Sequence, residues 1–175
     1  MKNFSKFIAN MAKIITKIVE VFQWVGAGLM LAATVCALVN PDWIGYFIGF
    51  DACESCGAKL SVYGFEIQAA VTNGQVDMTA LFLFGIGATL ILGLMAMIFK
   101  NLHLIIKKSE GRTPFQADNV RMFREIGIFS IAVPVVGLIM SIITRLVLGA
   151  EAAEISNNFS GFVIGVVVLC ITEFF

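Results

Sequence analysis

Two cysteines three positions apart, Cys53-Glu54-Ser55-Cys56, are the residues whose type and spacing most readily do chemistry. A C-x-x-C pair outside the cytoplasm closes a loop-bracing disulfide, works as a redox-active dithiol, or supplies half of a metal site. The spacing leaves these readings, and that of two free thiols, open, with the bracing disulfide first. A complete metal site needs a second ligand pair, and the only histidine, His103, falls on the opposite side of the layout derived below. The second set is ionisable or polar and lies within or beside apolar runs: Glu20, Gln23, Arg145 and Glu173. Such residues are functional candidates by default, against the simpler reading of boundary residues that reach for headgroups. Glu173 and Glu20 can approach one another or pair with Arg121 or Arg124. Thr89, Ser130 and Ser141 are modest polar positions in the spans, and hydroxyls in spans usually bond back to their own helix. There is no G-x-S-x-G, no H-E-x-x-H and no phosphate-binding loop, so no catalytic residue, cofactor or metal is assigned.

The elements that must position these residues follow from composition. Of 175 residues, 59% are hydrophobic and only 14% charged. A soluble domain carries roughly 25% charged residues, so this chain is read as a one-domain integral membrane protein. Twelve Lys and Arg balance twelve Asp and Glu, which excludes a basic field for direct nucleic-acid binding. Apolar runs predict four spanning helices at 19–39, 79–99, 126–148 and 161–175. The last is short and has no polar residue beyond it, so the natural chain is expected to continue past Phe175. Short-loop cations set orientation. Lys2, Lys6, Lys13 and Lys17 precede the first span, and Lys100, Lys107, Lys108, Arg112, Arg121 and Arg124 lie between the second and third. Only Lys59 and Arg145 fall on the other side. Both termini and the segment 100–125 are therefore predicted in the cytoplasm, and 40–78 and 149–160 outside.

Local patterns refine each piece. In 1–18, Phe4, Phe7, Ile8, Met11, Ile14, Ile15 and Ile18 recur at spacings of three and four, with Lys6, Asn10, Lys13 and Lys17 opposite. This predicts an amphipathic helix lying in the inner headgroup layer, its lysines near anionic lipid, with a docking helix for a cytoplasmic partner as the alternative. In the 100–125 segment Thr113 suits an N-cap, Pro114 the first helical position, and Gln116 completes a capping box. The result is a stiff elbow carrying Phe115, Asn119, Arg121 and Arg124, read as a positive-inside anchor or as a contact surface for a cytoplasmic protein. Outside, Leu60 and Val62 alternate with polar neighbours, as do Phe65 and Ile67 with Glu66 and Gln68; Gly64 and Asn73-Gly74 are turn residues. A small hairpin on the outer membrane face is predicted, with Trp43, Tyr46, Phe47 and Phe50 as interfacial aromatics. Gly26 and Gly28, Gly85 and Gly87, and Gly161 and Gly165 are small-residue positions that let helices approach closely, within the bundle or in a homo-oligomer.

Thr113-Pro114-Phe115, Asn119, Arg121 and Glu125-Ile126-Gly127 opening an apolar run resemble the signature of a bacterial membrane family, the domain-of-unknown-function family 2975. The layout is similar: four spans, a long outer first loop and a "P-F-x-x-x-N" elbow. The segment Gly161 to Phe175, with Leu169-Cys170-Ile171, resembles the start of that family's fourth span, which usually continues into a short polar tail. The resemblance implies a bacterial inner-membrane protein, one half of a regulatory pair with a small helix-turn-helix protein, and implies no catalytic residue.

The fold class expected is thus all-α integral membrane: a four-transmembrane-helix bundle with an N-terminal amphipathic interfacial helix and a small outer β-hairpin. The function expected is non-enzymatic regulation, sensing or immunity through a cytoplasmic partner at the elbow. A homo-oligomeric pore or small transporter is the first alternative. A membrane thiol oxidoreductase using Cys53 and Cys56 is the second. It looks like the four-helix enzymes that pass electrons to quinone, but those usually relay through a second outer cysteine pair. Here only Cys36 is placed to help, since Cys170 lies deep in the last segment.

Overall fold

The structure is a computed structural model that describes residues 2–39, 58–72, 75–109, 117–154 and 160–173. Its elements in chain order are α1 (Lys2–Val39), β1 (Ala58–Val62), β2 (Phe65–Ala69), β3 (Val71–Thr72), β4 (Gln75–Val76), α2 (Met78–Lys108), α3 (Ala117–Leu148), β5 (Ala153–Glu154) and α4 (Ser160–Glu173). Three helices are long and apolar enough to cross a membrane, within Phe7–Val39, Met78–Lys108 and Asn119–Leu148. The fourth apolar segment forms a helix of 14 residues. At 1.5 Å per residue that is about 21 Å, short of the roughly 30 Å hydrocarbon core. The structure thus shows three span-length helices and one short apolar helix.

At the N-terminus the predicted helix 1–18 is continuous with the first span, because α1 runs unbroken for 38 residues. Ile18-Val19-Glu20 contains neither proline nor glycine, and nothing there ends a helix. The inward side of α1 is Thr16, Glu20, Gln23, Ala27, Thr34 and Ala37, all buried and spaced by three, four or seven. The large apolar side chains point the other way: Phe7, Ile8, Ile14, Phe22 and Leu29 are exposed. Small and polar residues inside with bulky apolar ones outside is the arrangement that suits lipid, where apolar burial between helices brings no gain and close approach does.

The chain divides into two compact units. Unit 1 comprises Met1–Val25, Leu92–Val133 and Phe159–Phe175; unit 2 comprises Gly26–Ile91 and Pro134–Asn158. Unit 1 is helical at every described residue but Ser109, a turn after α2. Its α3–α4 contact is a crossing of glycines: a Cβ on Gly165 would lie 2.7 Å from the Gly127 carbonyl oxygen, and one on Gly127 would lie 3.1 Å from that of Gly165.

Unit 2 holds the sheet. β1 and β2 form the predicted hairpin, in antiparallel register from Val62↔Phe65 to Ala58↔Ala69. Its two-residue turn has positive φ at Tyr63 (45°) and Gly64 (85°), the conformation whose twist matches the flanking strands. Gly64→Ala places a side chain in this left-handed region and is expected to cost about 1–2 kcal/mol, read as a lower melting temperature in detergent. A third strand, β5, joins β2 in the register Glu66↔Glu154 and Ile67↔Ala153, giving the order β1-β2-β5. β3 and β4 form a second, minimal ladder.

The hairpin does not rest on the helix ends. One face of β2 is fully buried, with Phe65 and Ile67 at 0% exposure. The Phe65 ring stacks on Phe84 of α2, with centroids 5.9 Å apart. It also fills the space over Gly87, where a Cβ would come within 2.6 Å of it, and its Cβ approaches Gly137 of α3. Asp77 caps α2 by accepting the Thr79 N–H at 2.8 Å, and Ala70 is tied to the same point, its carbonyl accepting the Asp77 N–H at 3.0 Å. At the other end of the sheet, Gly149 (φ 105°) terminates α3, its N–H donating to the Arg145 carbonyl.

Candidate functional site

The described part of the predicted elbow is the pair of cationic helix ends in unit 1. Residues 110–116 lie outside the described residues, and with them Thr113, Pro114 and Phe115. What is described is how the flanking helices hold their polar groups. Asn101 of α2 is buried and donates from Nδ2 to Glu125 Oε2 of α3 at 3.0 Å. The other oxygen of Glu125 accepts from Arg121 Nε, one helical turn earlier, at 3.3 Å. Glu125 is thus held from both sides, and the guanidinium it steers is 84% exposed. An exposed i,i+4 pair is worth only about 0.3–0.5 kcal/mol, so the arrangement orients Arg121 more than it stabilises α3.

Neighbouring contacts fix the same helix ends. Asn119 is fully buried and donates to Ser109 Oγ at 3.2 Å, tying the first turns of α3 to the last residue after α2. Arg124 pairs with Glu173 of α4, one of the two arginines the sequence offered it. His103 Nδ1 lies 3.1 Å from the Lys13 carbonyl of α1. Glu20, buried, meets Lys17 of its own helix at 3.0 Å. Lys107 and Lys108 occupy the last turn of α2, where cations complement the helix dipole. Of Lys6 only the backbone, within α1, is described, and Lys13 is half-buried.

The remaining sequence candidates fall in different places. Arg145 does not merely reach for headgroups: its Nε donates to the Ala153 carbonyl at 2.9 Å and so holds β5 in place. Gly85 faces α1, and a Cβ there would collide with Thr34 Oγ1. Gly87 faces Phe65 instead. Gly28 is exposed with nothing near its Cβ direction, and Gly26 and Gly161 are half-buried. Gln23 is buried on the inward side of α1. Cys53 and Cys56 lie outside the described residues; Cys36 and Cys170 are exposed free thiols. Among the described residues no group of three His, Cys, Asp or Glu could hold a metal ion.

Asn101, Glu125, Phe65, Gly127 and Gly137 were missed as site or packing residues. Glu125 had a signal, since it lies one turn after Arg121. Asn101 had none, because its partner is 24 positions away and on another helix.

These features define a helical membrane protein with a small sheet packed onto its helices. Compared with protein-family models, with curated proteins and with solved structures, the chain finds no match.

Proposed function

We propose that the chain is a non-enzymatic bacterial inner-membrane protein of regulatory, sensing or immunity type. It has four crossings, α4 included, both termini face the cytoplasm, and it acts through a cytoplasmic partner docked at residues 100–125. The observation that carries this reading is the two-sided hold on Glu125, which aims an exposed guanidinium from a buried anchor. Lys100, Lys107 and Lys108, all exposed, extend the cationic character of the same segment. A partner with an acidic surface fits, and the resemblance to family 2975 makes a small helix-turn-helix regulator the class to look for.

Polar groups in the helices support this reading over a pore. The hydroxyls of Thr16, Thr34, Thr89 and Thr144 each donate to a carbonyl of their own helix, and Glu20 is matched by Lys17. A conduction path would need such groups free to exchange with solute. The thiol-oxidoreductase alternative rests on Cys53 and Cys56 and gains no support from the described residues.

The test is retention of a partner after gentle detergent extraction from the native host, with mass spectrometry. Arg121→Glu leaves the Arg124–Glu173 pair in place and reverses the charge of the aimed group. A drop in retention of about tenfold or more is expected, since like-charge juxtaposition at an interface costs several kcal/mol. The double variant with Arg124→Glu is expected to abolish binding. Unchanged retention in both would remove the reading.

A further inference from the structure

Three independent lengths place the tip of the hairpin deep beside its helices. Gly87, which faces the Phe65 ring, is nine residues into α2 from Met78, or about 13 Å along the axis. Gly137, which faces the Phe65 Cβ, is eleven residues before the end of α3 at Leu148, or about 16 Å. Ala70 is tied to Asp77 at the head of α2, and five extended residues separate it from Phe65, again about 16 Å. The sequence of α2 carries no charge from Thr79 to Phe99, so the apolar layer begins at the head of that helix. Leu146 and Val147 at the end of α3 are exposed and apolar, as lipid-facing residues there must be. Phe65 therefore sits near the middle of a hydrocarbon core roughly 30 Å thick.

At that depth one face of the sheet is dry and the other is not. Phe65, Ile67 and Ala69 are buried against the helices. On the opposite face Ser61 and Gln68 are exposed, and Lys59 pairs with Glu66 at 2.7 Å with side chains 55% and 28% exposed. β1 is also the edge of its sheet among the described strands. Non-helical backbone and an exposed ion pair are not tolerated against lipid tails; at membrane depth they are buried in protein or line water. These groups are not buried.

We infer that the sheet is re-entrant and that its polar face lines a water-filled vestibule, open to the outer side, with the Lys59–Glu66 pair on its wall. The occupant is water and the small polar solutes dissolved in it. The contacts that seat the sheet all lie in unit 2, and none depends on a partner at the cationic helix ends.

The test begins with the unmodified protein in intact cells. A membrane-impermeant amine reagent is expected to modify Lys59 from outside, as mapped by mass spectrometry. In a background with Cys36, Cys53, Cys56 and Cys170 replaced, and with folding checked by gel filtration, an impermeant maleimide is then applied. Ser61→Cys and Gln68→Cys are expected to react at least about tenfold faster than Leu146→Cys, since a thiol must meet water to ionise and react. A nitroxide at Ser61→Cys in reconstituted bilayers reads depth: it is expected to collide with a water-soluble nickel chelate while lying well below the phosphates. Outside labelling with a nitroxide at headgroup level would mean the hairpin lies flat on the surface and would overturn the inference. Absence of outside labelling at both Lys59 and Ser61→Cys would overturn it equally, by showing that no outer water reaches the sheet.

Discussion

Phe65→Ala is expected to lower the melting temperature of the detergent-solubilised protein by about 10 °C or more, one of the largest single-residue effects in unit 2. Truncating a buried Phe costs about 3–5 kcal/mol when the surroundings cannot collapse. In a chain of this size each kcal/mol moves the midpoint by roughly 2–4 °C. The surroundings here are poor at collapsing. The ring fills the space over Gly87 of α2 and stacks on Phe84 at an interplanar angle of 13°, while the Phe65 Cβ lies against Gly137 of α3. Backbone cannot extend to refill it.

The complementary change is Gly87→Ala, whose Cβ would sit 2.6 Å from Phe65 Cε1. The ring has little room to swing, being stacked on Phe84 and rooted at a Cβ that lies against Gly137 of α3, so a loss of about 1–3 kcal/mol is expected from overpacking. The two changes are not independent. Phe65→Leu shortens the side chain at the atoms that clash, so Phe65→Leu combined with Gly87→Ala is expected to lie well above the sum of the two singles. Additive losses in that double-mutant cycle would mean that the contact is not what seats the hairpin.

Much of this was legible from sequence, and what was not has a physical cause. The hairpin shows itself in local alternation: Phe65 and Ile67 against Glu66 and Gln68, with Tyr63-Gly64 at the turn. Its third strand does not. Ala153–Glu154 is two residues long, too short for periodicity, and its pairing of Ala153 with Ile67 and of Glu154 with Glu66 is set by Arg145 and Gly149 rather than by its own composition. The glycines illustrate a related limit. Gly85 and Gly87 read as one small-residue feature, yet two positions on a helix are about 200° apart. One meets Thr34 of α1 and the other meets Phe65 of the sheet, so they serve different neighbours. The N-terminal pattern of apolar and basic residues marks a helix, but amphipathicity does not say where a helix stops. With no helix breaker near residue 18, α1 continues into the span. At the elbow, Arg121 and Arg124 were visible as cations. The buried Asn101 that orients one of them through Glu125 is visible only when α2 and α3 are side by side.

Gly165→Leu is expected to detach α4 from α3, whereas Arg124→Ala is expected to leave it in place. Both contacts join the same two helices, and magnitudes decide between them. The Arg124–Glu173 pair has side chains 56% and 67% exposed, and exposed pairs contribute about 0–1 kcal/mol. The glycine crossing is different in kind. A side chain at Gly165 would meet the Gly127 carbonyl oxygen at 2.7 Å and Ile131 Cγ1 at 2.6 Å, and the first of these is backbone. A flexible side chain can turn aside; a helix carbonyl cannot, so the helices themselves must separate. Along α4 the buried residues are Gly165 and Thr172. Between lipid-exposed helices, close backbone approach is the main source of attraction, and a bulky residue removes it. The measurement is the distance between nitroxides at Ile128→Cys and Ile164→Cys, both exposed positions on the two helices. The distribution is expected to lengthen and broaden with Gly165→Leu and to stay narrow with Arg124→Ala. The reverse pattern would show that the ion pair, not the crossing, positions the short helix.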